Sequence, residues 1–163
     1  MTLDQELVAR AATVISRLKE QGLRMATAES CTGGLISAAL TAIPGSSDVL
    51  DRGFVTYSNE AKQELIGVPA DMIADYGAVS EPVARAMAEG ALAVARVDRA
   101  VSVTGVAGPG QTERKPAGLV FIGSAGNGIA TQVREHRFSG DRDAVRLASA
   151  LAALDMLVDV PRE

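Results

Sequence analysis

The sequence is poor in the residues on which several classes of protein depend. It has no Trp, and aromatic residues make up only 3% of the chain, which argues against recognition of single-stranded nucleic acid by base stacking. The net charge is -4 and no run of Lys or Arg occurs, so we expect no nucleic-acid partner. One Cys and one His exclude a disulfide framework and predict that the chain holds no metal ion.

Long apolar segments are missing as well. No stretch approaches the roughly 20 apolar residues that a membrane-spanning helix requires. The start of the chain, MTLDQE, is acidic and does not resemble a signal peptide. We therefore expect a cytoplasmic protein that has no membrane partner.

What the sequence does contain is typical of one folded domain. The 163 residues are 47% hydrophobic and 22% charged. A chain of this length buries enough apolar surface to fold without a disulfide or a metal. Ala, Val and Gly are abundant, which favours helices packed closely on a sheet. We expect a single domain over residues 1–163 that needs no cofactor.

Hydrophobic periodicity divides this domain into helices and strands. Helices are predicted over 4–21, 33–42, 58–66, 70–76, 81–96 and from 141 onwards, and strands over 23–28, 52–58, 100–104, 119–123 and 129–138. The last two strands should form a hairpin across residues 126–128. Since helices alternate with strands before that hairpin, the pattern predicts one three-layer α/β/α domain on a mixed, mostly parallel sheet with a late β-hairpin.

The stretch AESCTGG at residues 28–34 lies between the first predicted strand and the second predicted helix. Gly33 and Gly34 let a ligand approach the backbone, and the first N–H groups of a helix attract anions. Ser30 and Thr32 add hydroxyl groups at the same bend. Because Ser and Thr are also preferred N-cap residues, helix capping is an alternative explanation for both hydroxyls.

Six blocks of sequence occur in an order that resembles one family. The blocks are AESCTGG at 28–34, GFVTYSNEAK at 53–62, GAVSEPVA at 77–84, TGVAGPG at 104–110, KPAGLVF at 115–121 and FSGDRDAVR at 138–146. Together they resemble the CinA carboxy-terminal domain family over residues 5–158. Characterised members of this family include stand-alone nicotinamide-nucleotide amidohydrolases. The loop at 110–115 is shorter and less glycine-rich than the family's usual form, which leaves the substrate preference open.

The resemblance implies an amidohydrolase that converts nicotinamide mononucleotide and water to nicotinate mononucleotide and ammonia. It implies that Ser30 is the nucleophile, that Lys62 is its base and that Tyr57 assists proton transfer. A lysine acts as a base only when it is neutral, so its pKa must lie below the ordinary value. A solvated position on a helix is the ordinary alternative for a lone lysine such as Lys62.

A mononucleotide substrate also needs a phosphate site. Thr32, Gly33 and Gly34 are predicted to supply a hydroxyl and backbone donors to it. Thr104 and Gly105 end another predicted strand and should line the same crevice.

Four further side chains near these motifs each have two interpretations. Arg142 falls in the first turn of the last helix, where the dipole disfavours a cation, so a phosphate partner would explain its placement. Arg146 is the second candidate for this role, and both are ordinary surface arginines in the alternative interpretation. Cys31 is an alternative nucleophile that lacks a recognisable base. His136 lies on a predicted edge strand, where we expect a solvated or cross-strand role.

Two other functions remain open. One is a non-catalytic nucleotide-binding or regulatory module linked to competence or the DNA-damage response, and the other is a hydrolase that acts on another small nucleotide. The presence of Ser30, Tyr57 and Lys62 together favours the amidohydrolase. The Ala-rich helix offers a low-polarity face over residues 83–96, from which we predict a homodimer.

Overall fold

Helices cover both sides of a central sheet in this protein. The computed structural model describes residues 2–159. In chain order they form α1 (Gln5–Glu20), β1 (Met25–Glu29), α2 (Leu35–Thr41), a 3-10 turn (Ser46–Asp48), β2 (Leu50–Val55), α3 (Asn59–Ile66), α4 (Ala70–Tyr76), α5 (Glu81–Ala95), β3 (Arg99–Gly105), β4 (Leu119–Gly126), β5 (Ile129–Arg137) and α6 (Arg142–Val158).

The strands form one sheet in the order β2-β1-β3-β4-β5. β1 pairs in parallel with both β2 and β3, whereas β4 pairs antiparallel with β3 and β5. In this sheet of described residues, β4 therefore runs against the other strands, which share one direction. The predicted mixed, mostly parallel sheet is confirmed. The predicted hairpin is confirmed as well, since β4 and β5 are joined through Asn127 and Gly128.

Three helices pack on each face of the sheet. α1, α2 and α6 bury a core that includes Met25 of β1, Val103 of β3 and Ile122 of β4. On the opposite face, side chains of α3, α4 and α5 pack against the small residues Ala28 and Ala100. The predicted three-layer arrangement is thus confirmed.

Small residues bring α5 close to its neighbours. The Ser102 hydroxyl of β3 donates a hydrogen bond of 2.6 Å to the carbonyl oxygen of Ala84 in α5. At Gly90, a Cβ atom would lie 2.0 Å from the carbonyl oxygen of Ile66, so α3 meets α5 at a distance that only glycine permits. The Ala-rich face of α5 is therefore occupied inside the chain by the sheet, α3 and α4. It does not supply the free surface from which the homodimer is predicted.

The carboxyl ends of β1, β2 and β3 meet at one edge of the sheet. The connection from β1 to β2 crosses one face through α2, and the connection from β2 to β3 crosses the other through α3, α4 and α5. The backbone segments that leave β1 and β2 diverge as a result, and such divergence opens the crevice in which open α/β sheets bind ligands. No helix within residues 2–159 combines the length and the apolar character needed to cross a membrane.

Candidate active site

A cleft of about 440 Å³ opens at this edge of the sheet. The sequence-predicted residues that it brings together are Ser30, Tyr57, Lys62, Thr104, Gly105 and Arg142. The charged side chains of its wall are Lys62, Arg142, Glu60 and Glu113. The cleft is thus built from the ends of three strands, the start of α3, the start of α6 and the loop that precedes β4.

Ser30 is the first residue beyond β1. Its N–H donates to the carbonyl oxygen of Val103 at 2.9 Å, which keeps it attached to β3. Its own carbonyl accepts the N–H of Gly33 at 3.0 Å, and this bond closes a tight turn. Gly33 and Gly34 have φ values of 59° and 103°, a left-handed conformation that glycine adopts without steric cost. The turn leaves the Ser30 side chain 8% exposed, at the wall of the cleft.

Lys62 lies one turn into α3. The Ser58 side chain caps this helix by accepting the N–H of Ala61 at 3.0 Å, which places the lysine over the end of β2. Lys62 is only 1% exposed. It is therefore not the solvated helix lysine of the alternative interpretation.

The Lys62 amine is surrounded by oxygen atoms. Its Nζ lies 3.1 Å from Ser30 Oγ, 3.1 Å from the carbonyl oxygen of Thr56 and 3.3 Å from that of Tyr57. These carbonyls are available to accept hydrogen bonds because β2 ends at Val55. The strand predicted over 52–58 would have continued for three more residues. A candidate nucleophile and a candidate base thus meet from two different strand–helix units.

Burial lowers the pKa of Lys62 below its ordinary value, since an ammonium group loses its hydration in this environment. The charges of Cys31, Glu113 and Glu60 act in the opposite direction. No carboxylate of the described residues lies within ion-pair distance of Nζ. The neutral amine is therefore favoured more strongly than in a solvated lysine.

The hydrogen bonds open to the neutral Lys62 amine indicate its chemical role. It has two N–H groups and one lone pair, and the carbonyls of Thr56 and Tyr57 can accept both N–H groups. The lone pair then faces the Ser30 hydroxyl, which can donate its proton along the 3.1 Å contact. This is the arrangement of a general base that activates an adjacent nucleophile.

Arg142 and Tyr57 form the rim of the cleft. Arg142 is the first residue of α6, and its Nη1 donates to the carbonyl oxygen of Gly108 at 2.6 Å. Its Nη2 lies 3.3 Å from the hydroxyl of Tyr57, whose side chain is 60% exposed. The phenol therefore contacts Arg142, whereas the backbone carbonyl of the same residue contacts Lys62. The role of Tyr57 in proton transfer stays a prediction.

Thr104 and Gly105 lie at the end of β3 and line the cleft, as the sequence predicts. The Thr104 hydroxyl donates to the carbonyl oxygen of Ala78 at 2.8 Å. Because its proton is used in this way, the hydroxyl can offer a ligand only acceptor lone pairs. It holds the α4–α5 connection against the sheet, which shapes the wall of the cleft opposite Ser30.

The structure does not bring Thr32, Gly33 and Gly34 into the cleft. Thr32 is fully buried, and its hydroxyl has no hydrogen-bond partner among the described residues. The first turn of α2 is occupied by the carboxylate of Glu29, which accepts the N–H groups of Ile36 at 2.9 Å and Ser37 at 3.1 Å. A carboxylate at a helix N-terminus takes the place that an anionic ligand would take. We therefore do not place a phosphate there.

Arg146 and Cys31 help to hold the turn that follows β1 and contains Ser30. Arg146 donates from Nε to the carbonyl oxygen of Cys31 at 3.2 Å and from Nη2 to that of Thr32 at 3.0 Å. Burial raises the pKa of the Cys31 thiol to about 11. A thiol that stays protonated is a poor nucleophile, so the alternative assignment of Cys31 is not favoured.

His136 lies on β5, an edge strand, as the sequence predicts. Its ring stacks on Phe138 with a centroid distance of 4.9 Å, and burial lowers its pKa. The residue does not line the cleft.

Sequence reasoning missed the roles of Glu29 and Glu113. Glu29 is fully buried and anchors α2 beside Ser30. Its sequence signal is an acidic residue at the end of an apolar strand, since a charge there needs partners. Glu113 reaches the cleft from the 110–115 loop. No local sequence pattern predicts that Glu113 lines the cleft. Within residues 2–159, no three side chains of His, Cys, Asp or Glu lie close enough together to share a metal ion.

Comparison with known proteins relates this geometry to one family. The family model described as "CinA C-terminal domain" matches residues 8–160. A "CinA-like protein" of Syntrophobacter fumaroxidans is 54% identical over 142 residues, which are 86% of this chain and 33% of that protein. The chain thus spans about a third of the length of several CinA-like relatives.

Two other relatives match over nearly their whole length. The "Nicotinamide-nucleotide amidohydrolase PncC" of Escherichia coli K12 is 51% identical over 158 residues, and the match covers 94% of each chain. The crystal structure of the "competence/damage inducible protein CihA" of Agrobacterium tumefaciens superposes with a TM-score of 0.93. It is 44% identical, and the superposition covers 97% of this chain and 98% of that one.

Proposed function

Because the chain belongs to the CinA carboxy-terminal domain family, we propose that it is an amidohydrolase that cleaves the carboxamide of nicotinamide mononucleotide. The products are nicotinate mononucleotide and ammonia. The observation that carries the proposal is the 3.1 Å contact between Ser30 Oγ and a lysine amine that is almost fully buried. The amidohydrolase relative, which has the same length as this chain within a few per cent, supports the choice of substrate.

The proposed reaction has two halves, in which Lys62 moves one proton each time. Its neutral amine accepts the hydroxyl proton of Ser30 while Oγ attacks the carboxamide carbon. The ammonium then gives this proton to the departing nitrogen, ammonia leaves and an acyl-enzyme remains. In the second half a water molecule loses a proton to Lys62 and attacks the acyl carbon. The acid is released when Ser30 Oγ takes the proton back.

The rim of the cleft is the proposed place for the phosphate. Arg142 presents a guanidinium there, and its contacts with Gly108 and Tyr57 fix the direction of that cation. A guanidinium forms charge-assisted hydrogen bonds with phosphate oxygens. The bound nucleotide would then lie with its phosphate at the rim and its carboxamide at Ser30.

A non-catalytic nucleotide-binding module is the competing function, and some relatives carry the name "Putative competence-damage inducible protein". The burial of Lys62 argues against a module that only binds nucleotides. Burying an amine without a partner carboxylate is unfavourable, and such groups concentrate at sites where a shifted pKa has a chemical use. A module that only binds nucleotides needs no neutral lysine beside a serine.

The test is an ammonia-release assay on nicotinamide mononucleotide, the corresponding riboside and nicotinamide. We expect ammonia from the mononucleotide, no release of phosphate, and the same rate after exhaustive chelation. Ser30→Ala should lower ammonia release by about 10³-fold, whereas Ser47→Ala, at an exposed serine outside the cleft, should not change it. A wild-type protein that binds the mononucleotide without releasing ammonia would support the binding module instead. Loss on chelation would overturn the serine–lysine mechanism.

We also propose a cytoplasmic homodimer that has no nucleic-acid partner. Since the face of α5 is occupied, the proposed interface uses the outer surface of α3, α4 and α5, where Leu65, Tyr76 and Val94 are exposed. Exposed apolar side chains on neighbouring elements favour association. Light scattering should give a mass of about 34 kDa, twice the 16.8 kDa of the chain. A mass of one chain at micromolar concentration would contradict the dimer.

A further inference from the structure

We propose that Glu113 is a specificity residue, which makes the cleft prefer a carboxamide on a positively charged ring over the same carboxamide on an uncharged ring. The inference rests on the proposed function, since it takes the carboxamide to lie at Ser30. Glu113 belongs to the 110–115 loop, which contributes Thr112 and Glu113 to the wall of the cleft.

The turn that carries Glu113 is closed by two backbone hydrogen bonds. The N–H of Thr112 donates to the carbonyl oxygen of Lys115 at 3.0 Å, and the N–H of Lys115 donates back to that of Thr112 at 2.8 Å. The two residues between them, Glu113 and Arg114, have φ values of 55° and 65°. Residues other than glycine adopt this left-handed conformation only at a cost. Contacts with neighbouring segments must therefore stabilise this turn.

The neighbouring segment that does so is the α4–α5 connection. Glu113 Oε1 accepts the N–H of Ala78 at 3.3 Å, and the Lys115 ammonium donates to the carbonyl oxygen of Tyr76 at 2.8 Å. Gly77 makes room for this contact, since a Cβ atom there would lie 2.5 Å from Glu113 Oε2. Both sides of the turn are thus anchored, and the carboxylate is kept at the cleft wall.

The charges of the cleft are unbalanced when Lys62 is neutral. One cation, Arg142, then faces two carboxylates, those of Glu60 and Glu113. Glu60 lies in the first turn of α3, where the helix dipole already stabilises a carboxylate. Glu113 lies outside any helix, and within residues 2–159 it has no ion-pair partner. No ion pair neutralises this carboxylate, so its charge can act on a ligand, although the Lys115 ammonium at the same α4–α5 connection reduces that attraction.

A ring nitrogen that carries a sugar gives a pyridinium ring a permanent positive charge. In the proposed orientation this ring lies between the carboxamide at Ser30 and the phosphate at Arg142. Glu113 and Lys62 line the same cleft, so the Glu113 carboxylate also faces a ring that sits beside the Lys62 amine. Because Glu113 is exposed, solvent screens the attraction, and we expect an effect of about three- to tenfold in affinity.

The experiment compares nicotinamide mononucleotide with its reduced form, dihydronicotinamide mononucleotide. The two share the phosphate, the ribose and the carboxamide, but the reduced ring is uncharged. Calorimetry on Ser30→Ala protein gives both dissociation constants without turnover. Glu113→Gln in that background keeps an oxygen for the Ala78 N–H and removes only the charge. Glu60→Gln is the matched control, since it removes the other carboxylate of the cleft.

We expect Glu113→Gln to weaken binding of the oxidised nucleotide three- to tenfold and to change binding of the reduced one less than twofold. Glu60→Gln should change the ratio of the two constants less than twofold. Equal losses for both ligands, an equal effect of Glu60→Gln, or no measurable binding of the oxidised nucleotide would overturn the proposal.

Ammonia release by the wild-type protein tests the proposed function separately. If no ammonia forms and the affinity ratio still falls in Glu113→Gln, the proposed function fails and the selection of a cationic ligand stands. If ammonia forms and the ratio is unchanged, the role of Glu113 fails and the proposed function stands.

Discussion

Coupling between Ser30 and Lys62 is the most direct quantitative test of the site. We consider Ser30→Ala, Lys62→Met and the double variant. Methionine fills the space of the lysine stem without an amine, which avoids the cavity that alanine would leave in a position 1% exposed. Lys19→Met, at a lysine that only forms a surface ion pair with Asp48, is the control.

The expected magnitude follows from the single contact that joins the two side chains. Ser30 Oγ has one basic neighbour, at 3.1 Å, and Lys62 has one hydroxyl neighbour. Each variant should therefore remove the same activated nucleophile, with a loss in kcat/KM of about 10³-fold, or roughly 4 kcal/mol of transition-state stabilisation. Independent contributions would make the double variant about 10⁶-fold slower, whereas one shared step predicts a loss near 10³-fold.

The assay is single-turnover ammonia release with mass spectrometry for a covalent acyl-enzyme. Only proteins that contain Ser30 and Lys62 should show the adduct, and circular dichroism should show that each variant is folded. Ammonia release by folded Ser30→Ala near the wild-type rate would refute the assignment of the nucleophile. Losses that multiply in the double variant would refute the shared step.

Two further predictions concern Arg142 and the charge of Lys62. Arg142→Ala should lower kcat/KM for the mononucleotide by about ten- to a hundredfold, the effect of a lost charge-assisted contact, and lower that for the riboside far less. The control is Arg17→Ala, in the last turn of α1. Equal losses of kcat/KM on both substrates would contradict a phosphate role for Arg142. Since the pKa of Lys62 is lower in the folded chain than its ordinary 10.5, the unfolded chain binds more protons between these two values. The unfolding free energy of the wild type should therefore rise with pH in that window relative to Lys62→Met, as urea titrations at several pH values will show, and a falling difference would contradict the sign.

The layered fold follows from short-range information in the sequence. Apolar residues at helical spacing predict α1 and α5, and the apolar run at the start of β4 predicts a strand buried on both faces. The order of the motifs identifies the family, and the resemblance to that family implies Ser30 and Lys62 as candidate site residues. These features depend on residues that are close together in the chain, so periodicity and motif order are enough to find them.

The contacts that make the cleft depend on residues far apart in the chain. The sequence places anion-binding amides at the start of α2, but only the fold shows that the Glu29 carboxylate occupies them. It proposes Arg142 first and Arg146 second, but only packing directs Arg142 to the rim and Arg146 to the carbonyl of Cys31. A one-dimensional pattern does not contain this information, because the partner of each polar group depends on which side chains pack beside it in the folded chain. The sequence therefore determined the helices and strands and pointed to Ser30 and Lys62 as the proposed nucleophile and base, whereas the tertiary structure decided which polar groups remain free to meet a substrate.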